Sequence, residues 1–444
     1  MNKKLLRYSL LLFPLLLLGM GPFLAQLDEV RISPMRGFTP LKVDFQWVPT
    51  FGQDDTLAPE WDFGDGTPSE TGTSVTHRYT QPGIYTVRMI QGDDETIRTV
   101  RVLQFDTPDI FVVSDHPVAI STIDLDEDGQ AELLIANELD HVITLYQNSG
   151  ERTQFPVGLF PLSITTNDFN NDGHVDVAVA NGGSADVTLL MGNGFGGFMD
   201  LFSVPVGEFP NSVVSADFNL DDFIDLAVTF DNNKVQTLLG NGTGSFVPAV
   251  RQFILQGPGV LGVGDLDQDG VPDLVTTNRD SNSVSTLYGD GTGGFSSVTH
   301  LAMDLGPRAL TLADFDQDGW LDVAVANWIQ NSISILRNDG QGRLYESNTL
   351  RALAGPFNIV HGDLDGDDIL DLVVANLEGQ AIAIYLGEGQ GEFAVPVNLP
   401  VPMQPIGLAV ADLDLDGALD IAVTSLEDNS FILFRNQLLF IDRN

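Results

Sequence analysis

Cysteine is absent from all 444 residues. That removes disulfides, thiolate zinc sites, cysteine nucleophiles and lipid anchoring through an N-terminal cysteine. Basic residues are scarce, with 20 Lys and Arg against 62 Asp and Glu and a formal charge of −42. Binding a phosphate backbone needs clustered Lys and Arg, so nucleic acid is excluded as a partner. Histidine is also sparse, at six residues. Beyond the first 25 residues no apolar run is long enough to cross a membrane as a helix.

The apolar fraction is 43%, enough to build a core. The 45 glycines and 23 prolines are spread along the chain, as many short strands joined by tight turns require. At the N-terminus, Lys3, Lys4 and Arg7 precede an apolar run from Leu10 to Leu18, then Gly19, Gly21 and Pro22. This order predicts a secretory signal peptide over residues 1–25, cleaved near Ala25, with an uncleaved anchor as the alternative. The expected location is therefore secreted, periplasmic or at the cell surface.

A pattern D-x-[DN]-x-D-x-x-x-[DE] begins at Asp124, Asp168, Asp217, Asp265, Asp314, Asp363 and Asp412, at intervals of 44, 49, 48, 49, 49 and 49 residues. Seven residues before each first Asp stands a proline, from Pro117 and Pro161 through to Pro405. Within each period, short runs rich in β-branched residues alternate with Gly/Asn turns, which reads as four strands. Repeats of this length with four strands are propeller blades, so the fold class is all-β, a seven-bladed β-propeller over residues 105–444. The last blade ends too early for a full fourth strand. Phe105, nineteen residues before Asp124, stands where Phe198, Phe246, Phe295 and Phe393 open the fourth strand of other blades. Residues 105–115 are thus expected to complete the last blade and close the ring.

The acidic loops have the chemistry of a hard-cation site. Oxygens at positions 1, 3 and 5 of a tight turn converge, position 7 offers a carbonyl, and position 9 a further carboxylate. The oxygen-only donor set favours calcium over zinc or copper. The expected ligands are Asp124, Asp126, Asp128 and Glu132 in the first loop, and Asp168, Asn170, Asp172 and Asp176 in the second. Asp217, Asn219, Asp221 and Asp225 follow in the third, and Asp265, Asp267, Asp269 and Asp273 in the fourth. The fifth supplies Asp314, Asp316, Asp318 and Asp322, and the sixth Asp363, Asp365, Asp367 and Asp371. Asp412, Asp414, Asp416 and Asp420 close the series, for up to seven Ca2+ ions in a structural role. Asn at position 3 lowers the charge of the second and third loops. Loops four, five and seven are expected to bind most tightly.

These loops, their period and the Gly-x-Gly-x-Phe turns resemble the FG-GAP/VCBS repeats of integrin α-subunit propellers and bacterial surface proteins. The resemblance implies calcium in hairpins on one face and ligand contacts on the opposite face. It does not imply one activity, since adhesion proteins, lectins and enzymes share the repeat. Residues 26–104 differ in composition. Trp61-Asp62-Phe63-Gly64-Asp65-Gly66-Thr67, then His77-Arg78-Tyr79, Pro82-Gly83, Tyr85 and Val87, resemble a PKD domain, a small Ig-like β-sandwich used as a spacer or contact module. Trp61 is expected in its core, with Asp62 and Asp65 forming turns.

No nucleophile elbow, zincin helix or phosphate loop is present. The expected function is an exported interaction or adhesion scaffold for a protein or glycan ligand. An extracellular carbohydrate-active lyase or hydrolase on the same propeller is the alternative. Loops between second and third strands vary most from blade to blade, and nominate His141, Arg279, Trp328 and Ile329 as ligand contacts.

Overall fold

The structure, a computed structural model, describes residues 30–48, 58–92, 94–147 and 149–438. The expected signal peptide lies outside the described residues. Two compact units form, one reaching to Gln104 and one over Phe105–Phe440.

In the first unit, a three-stranded sheet (Val30–Ser33, Leu41–Trp47, Ser74–Tyr79) accompanies a five-stranded one built on Gly83–Gln91 and Asp94–Leu103. Leu41–Trp47 alternates strictly between buried and exposed residues, the period-2 signature of a strand with one face on a core. That core holds Val43, Phe45, Trp61, Phe63 and Tyr79, all fully buried. Trp61 satisfies its indole N–H on the Gly72 carbonyl at 2.8 Å. Asp62 and Asp65 accept from the backbone N–H groups of Gly64 and Thr67, so both serve turns. His77 stacks on Phe63 with its Nε2 2.7 Å from Asp65 Oδ2.

The second unit consists of seven four-stranded antiparallel sheets, with a small extra hairpin on the sixth. Blade 5 is representative: Pro307–Ala313, Asp322–Asn327, Ser332–Asn338 and Leu344–Arg351, in spatial order. Innermost strands touch in cyclic order, and the seventh returns to the first, so the sheets form a closed ring. Every second strand is buried along its whole length, as in Asp322–Asn327 (DVAVAN). A strand sandwiched between two neighbouring blades has no solvent face, so its sequence is small and apolar on both sides. The outer strands, such as Phe295–Ala302, are largely exposed.

The seventh sheet combines Pro405–Ala411, Asp420–Ser425 and Ser430–Phe434 with Asp109–Val112 from the start of the unit. Residues 109–112 pair antiparallel with 430–433 in reverse order, and Phe105 bridges to Asn436. Phe111 stacks on Phe431 at 4.7 Å and meets Tyr146 edge-on at 5.3 Å. One aromatic cluster thereby joins the last blade to the first.

Just after the leading proline, each first strand carries an irregularity. In blade 5, Pro307 pairs with Asn327 and Ala309 with Ala326, which leaves Arg308 as the extra residue of a bulge. The same break follows Pro117, Pro161, Pro210 and Pro356, and a longer one follows Pro258 and Pro405. A bulge redirects the extra side chain out of the ladder.

Candidate functional site

Each acidic loop joins a first strand to a second, and backbone N–H groups shape all seven alike. The position-6 N–H donates to the position-1 carboxylate at 2.8–3.0 Å in every loop. The position-7 N–H donates to the position-5 carboxylate at 2.8–3.0 Å. Two positions need left-handed backbone. Position 6 is Gly in five loops, while Asp222 and Asp368 fill it at φ 69° and 64°. Position 4 is left-handed as well, at Glu127, Asn171, Leu220, Gln268, Gln317 and Leu415, with Gly366 in the sixth loop. Nothing in the residue types at position 4 announced this, because the loop closure imposes it.

Carboxylate oxygens gather within 4.8 Å of one another in five loops. The groups are Asp124, Asp126 and Glu132; Asp265, Asp267 and Asp269; Asp314, Asp316 and Asp322; Asp363, Asp365 and Asp371; and Asp412, Asp414 and Asp416. In the second and third loops Asn170 and Asn219 donate their amides to Asp172 and Asp221, at 2.9 and 3.0 Å. Each amide occupies an oxygen that a cation would need.

The position-9 acid has a second role that its place in the motif concealed. One oxygen accepts the position-2 N–H in all seven blades, as Asp273 does from Leu266 at 2.9 Å. The other accepts an N–H at or just past the end of the third strand in blades 2–7, as Asp273 does from Gly289 at 2.8 Å. A buried carboxylate thus clips three strands together. Burial first, and the neighbouring carboxylates with it, push these groups up against the backbone donors. Asp176, Asp225 and Asp273 rise to about 6, and Asp322 and Asp420 to about 7.

These loops fit a hard divalent cation. Like charges held this close repel unless a cation sits among them. Asp412 Oδ1 is buried without a hydrogen-bond partner among the described residues, as expected of an oxygen meant for a metal. Two loops depart from the expected equivalence of four, five and seven. Arg337 pairs with Asp316, and Arg435 lies 3.7 Å from Asp414. An arginine therefore already offsets charge at position 3 of loops five and seven, whereas no such pair reaches Asp267 among the described residues. Loop four is the least compromised.

At the other end of the strands, all seven blades line an axial cavity of about 570 Å³. Of the four residues nominated from the variable loops, only Arg279 lines it. His141 is occupied locally, with Nδ1 2.8 Å from the Glu138 carbonyl and its ring against Phe160. Trp328 leans over the neighbouring blade, edge-on to Phe357 at 6.5 Å, and Ile329 is exposed beside it. The lining residues that escaped the sequence reading include Arg308, whose guanidinium lies 4.2 Å from the centre of the Phe357 ring, and Phe357 itself. Comparison of the blades at the residue after the proline could have found both. That position holds Val118, Leu162, Asn211, Gly259, Arg308, Phe357 and Ile406, and Arg308 is the one cation among them.

Fold and loops together define a seven-bladed β-propeller with an acidic turn in every blade, accompanied by a small β-sandwich. The FG-GAP-like repeat family matches residues 168–228, 217–276, 265–325, 314–374 and 363–423, and the chain belongs to that family. A PKD domain matches residues 38–104. No curated protein matches the chain. Among solved structures, BBS1N in complex with ARL6DN is similar at TM-score 0.55 and 15% identity, over 75% of this chain and 96% of that one. Virginiamycin B lyase from Staphylococcus aureus is similar at TM-score 0.54 and 14% identity, over 74% and 99%. At such identity the likeness is one of fold alone. No helix among the described residues is long and apolar enough to cross a membrane.

Proposed function

We propose that this chain is an exported interaction scaffold. Calcium staples its blade hairpins, and the axial end of its propeller, opposite the acidic loops, receives a protein or glycan ligand. The observation that carries this reading is the division of labour between the two ends of one repeat. At one end seven copies keep the same oxygen-rich turn. At the other the repeat diverges around a cavity whose volume is typical of a ligand site.

In this reading calcium is held by the carboxylates at positions 1, 3 and 5 in loops four and seven, and by those at positions 1, 3 and 9 in loops one, five and six. Calcium would supply charge neutralisation. The chain itself supplies the preformed turn and the backbone donors that hold the carboxylates in place. BBS1N was solved with a protein partner, which makes a protein ligand on a propeller of this shape a reasonable expectation. The two carboxylates that line the cavity are both engaged, Glu138 with His116 at 2.6 Å and Asp231 with Asn211 at 2.9 Å. No observation therefore favours a glycosidase-type acid pair.

The test is a calcium titration by calorimetry, followed by a glycan and surface-protein binding screen in calcium and in chelator. The expected result is binding of several calcium ions and a ligand whose binding is lost when cavity residues are changed. Calcium stoichiometry of zero, or a ligand insensitive to every cavity substitution, would refute the respective half.

A further inference from the structure

Among the described residues, the charged side chains around the axial cavity each have an ion-pair or hydrogen-bond partner, with one exception. Glu138 is held by His116, and Arg279 donates to Asp280 at 2.8 and 3.4 Å. Asp231 accepts from Asn211. Arg308 has no carboxylate or hydrogen-bond partner for its guanidinium among the described residues, and it rests only on the face of Phe357. Among the described residues, the charge that bears on it is another cation, Arg279. Enclosure and that repulsion push the guanidinium down to about 10, which leaves it charged at neutral pH.

An enclosed cation without a counter-ion is unusual in any protein, because desolvation of a charge is costly unless something compensates it. In a chain of net charge −42 it is more unusual still, since carboxylates are the commonest charged groups available. The side chain is not folded away. Arg308 is the extra residue of a bulge, which turns it out of the ladder, and it remains partly exposed. Phe357 fixes one face of the guanidinium by cation–π contact and leaves its N–H edge for another partner. Arginine presents five donors in a planar fork that matches a carboxylate bidentately.

We propose that the axial cavity is a binding site for a small hydroxylated monocarboxylate, a sugar acid, whose carboxylate is received by Arg308. One unpaired cation accommodates one negative charge. Asp231 and Glu138 also line the cavity; their carboxylates keep acceptor lone pairs for hydroxyl donors and would repel a second carboxylate. The volume, about 570 Å³, admits one or two sugar rings. The overall negative charge of the chain disfavours polyanions at the mouth, so an isolated carboxylate is the better match. This assignment rests on the reading of the axial end as the ligand face and gives that ligand a chemical class.

The full mature chain, in millimolar calcium, is titrated with glucuronate, with glucose, with inorganic phosphate and with a short oligosaccharide ending in a glucuronate residue. Wild type is expected to bind glucuronate at least tenfold more tightly than glucose. Arg308→Gln is expected to lose at least tenfold of that affinity, with Arg308→Lys in between. The melting temperature of Arg308→Gln should be unchanged or raised, because the substitution removes an uncompensated charge. Tighter binding of the oligosaccharide identifies a glycan terminus as the source, and equal binding identifies the free acid.

Equal affinity for glucuronate and glucose, phosphate binding as tight as glucuronate binding, or an Arg308→Gln variant that binds like wild type overturns the proposal. A neutral ligand from the screen that depends on other cavity residues, but not on Arg308, would overturn it too while leaving the scaffold reading intact.

Discussion

Replacing Phe111 with alanine should loosen the closure of the propeller without touching any acidic loop. Phe111 belongs to Asp109–Val112, the strand that completes the last sheet, and it packs among Phe431, Tyr146 and the Leu133–Ile135 region of the first blade. Truncating a fully buried Phe costs about 3–5 kcal/mol. Phe111 is partly exposed, which reduces that to about 2–3 kcal/mol. Its two ring contacts add about 0.5–1.5 kcal/mol, for a total near 3 kcal/mol. Unfolding entropy of about 2.1 cal/mol/K per residue gives about 0.7 kcal/mol per degree for a unit of about 340 residues. The expected drop in Tm is therefore about 4 °C in saturating calcium. Phe195, 88% exposed, serves as the control and should shift Tm by less than about 1 °C when changed to alanine. Scanning calorimetry at one fixed rate measures both, and limited proteolysis should show earlier cleavage near residues 105–115 in Phe111→Ala. A Phe111→Ala melt within about 1 °C of wild type, or a shift matched by Phe195→Ala, would refute the seam argument.

Chelating calcium should lower Tm by about 3–14 °C, since five to seven sites at millimolar calcium contribute about 0.4–1.4 kcal/mol each; identical melts in calcium and chelator would count against metal in the loops. In chelator, stability should fall as pH rises from about 4 to 7. Asp322 and Asp420 titrate near 7, and Asp176, Asp225 and Asp273 near 6, against about 3.9 unfolded, so the folded state binds more protons in that window. Saturating calcium should remove or invert that slope, and a flat chelator profile would contradict it. Arg337→Met frees Asp316, so calorimetry should find a tighter site in loop five, by about tenfold if about 1.4 kcal/mol of competing charge is removed; unchanged affinity would mean the arginine does not compete. Trp328→Ala should leave Tm within about 2 °C of wild type but weaken binding in the cavity several-fold by releasing Phe357, and equal affinity would separate Trp328 from the site.

The architecture was legible because it is periodic. An acidic turn at a nearly constant interval, a proline seven residues before it and a largely apolar second strand are local patterns, and each is repeated often enough to define a blade without any long-range information. The closing strand could be read for the same reason, since Phe105 keeps the phase of the other blades although its partner is more than three hundred residues away. The PKD-like unit was legible through Trp61, whose indole and ring fill one fixed place in a sandwich core.

The structure alone decided matters that depend on which residues meet across blades. The position-9 acid reads as a ligand in sequence, yet in blades 2–7 both its oxygens meet backbone N–H groups from two separate segments, one of them, for Asp176, sixteen residues further on. Arg337 lies in the third strand of its blade and Arg435 just past the end of its own, and the fold brings each over the acidic loop of the same blade. Arg308 reads as one surface cation among twenty in the chain. A bulge turns it inward, and the ring of the next blade places Phe357 beneath it. Repetition writes the shared features of a blade into sequence many times over, so they can be read there. The cavity is made of the residues that break the repeat, and their proximity exists only once seven blades have closed.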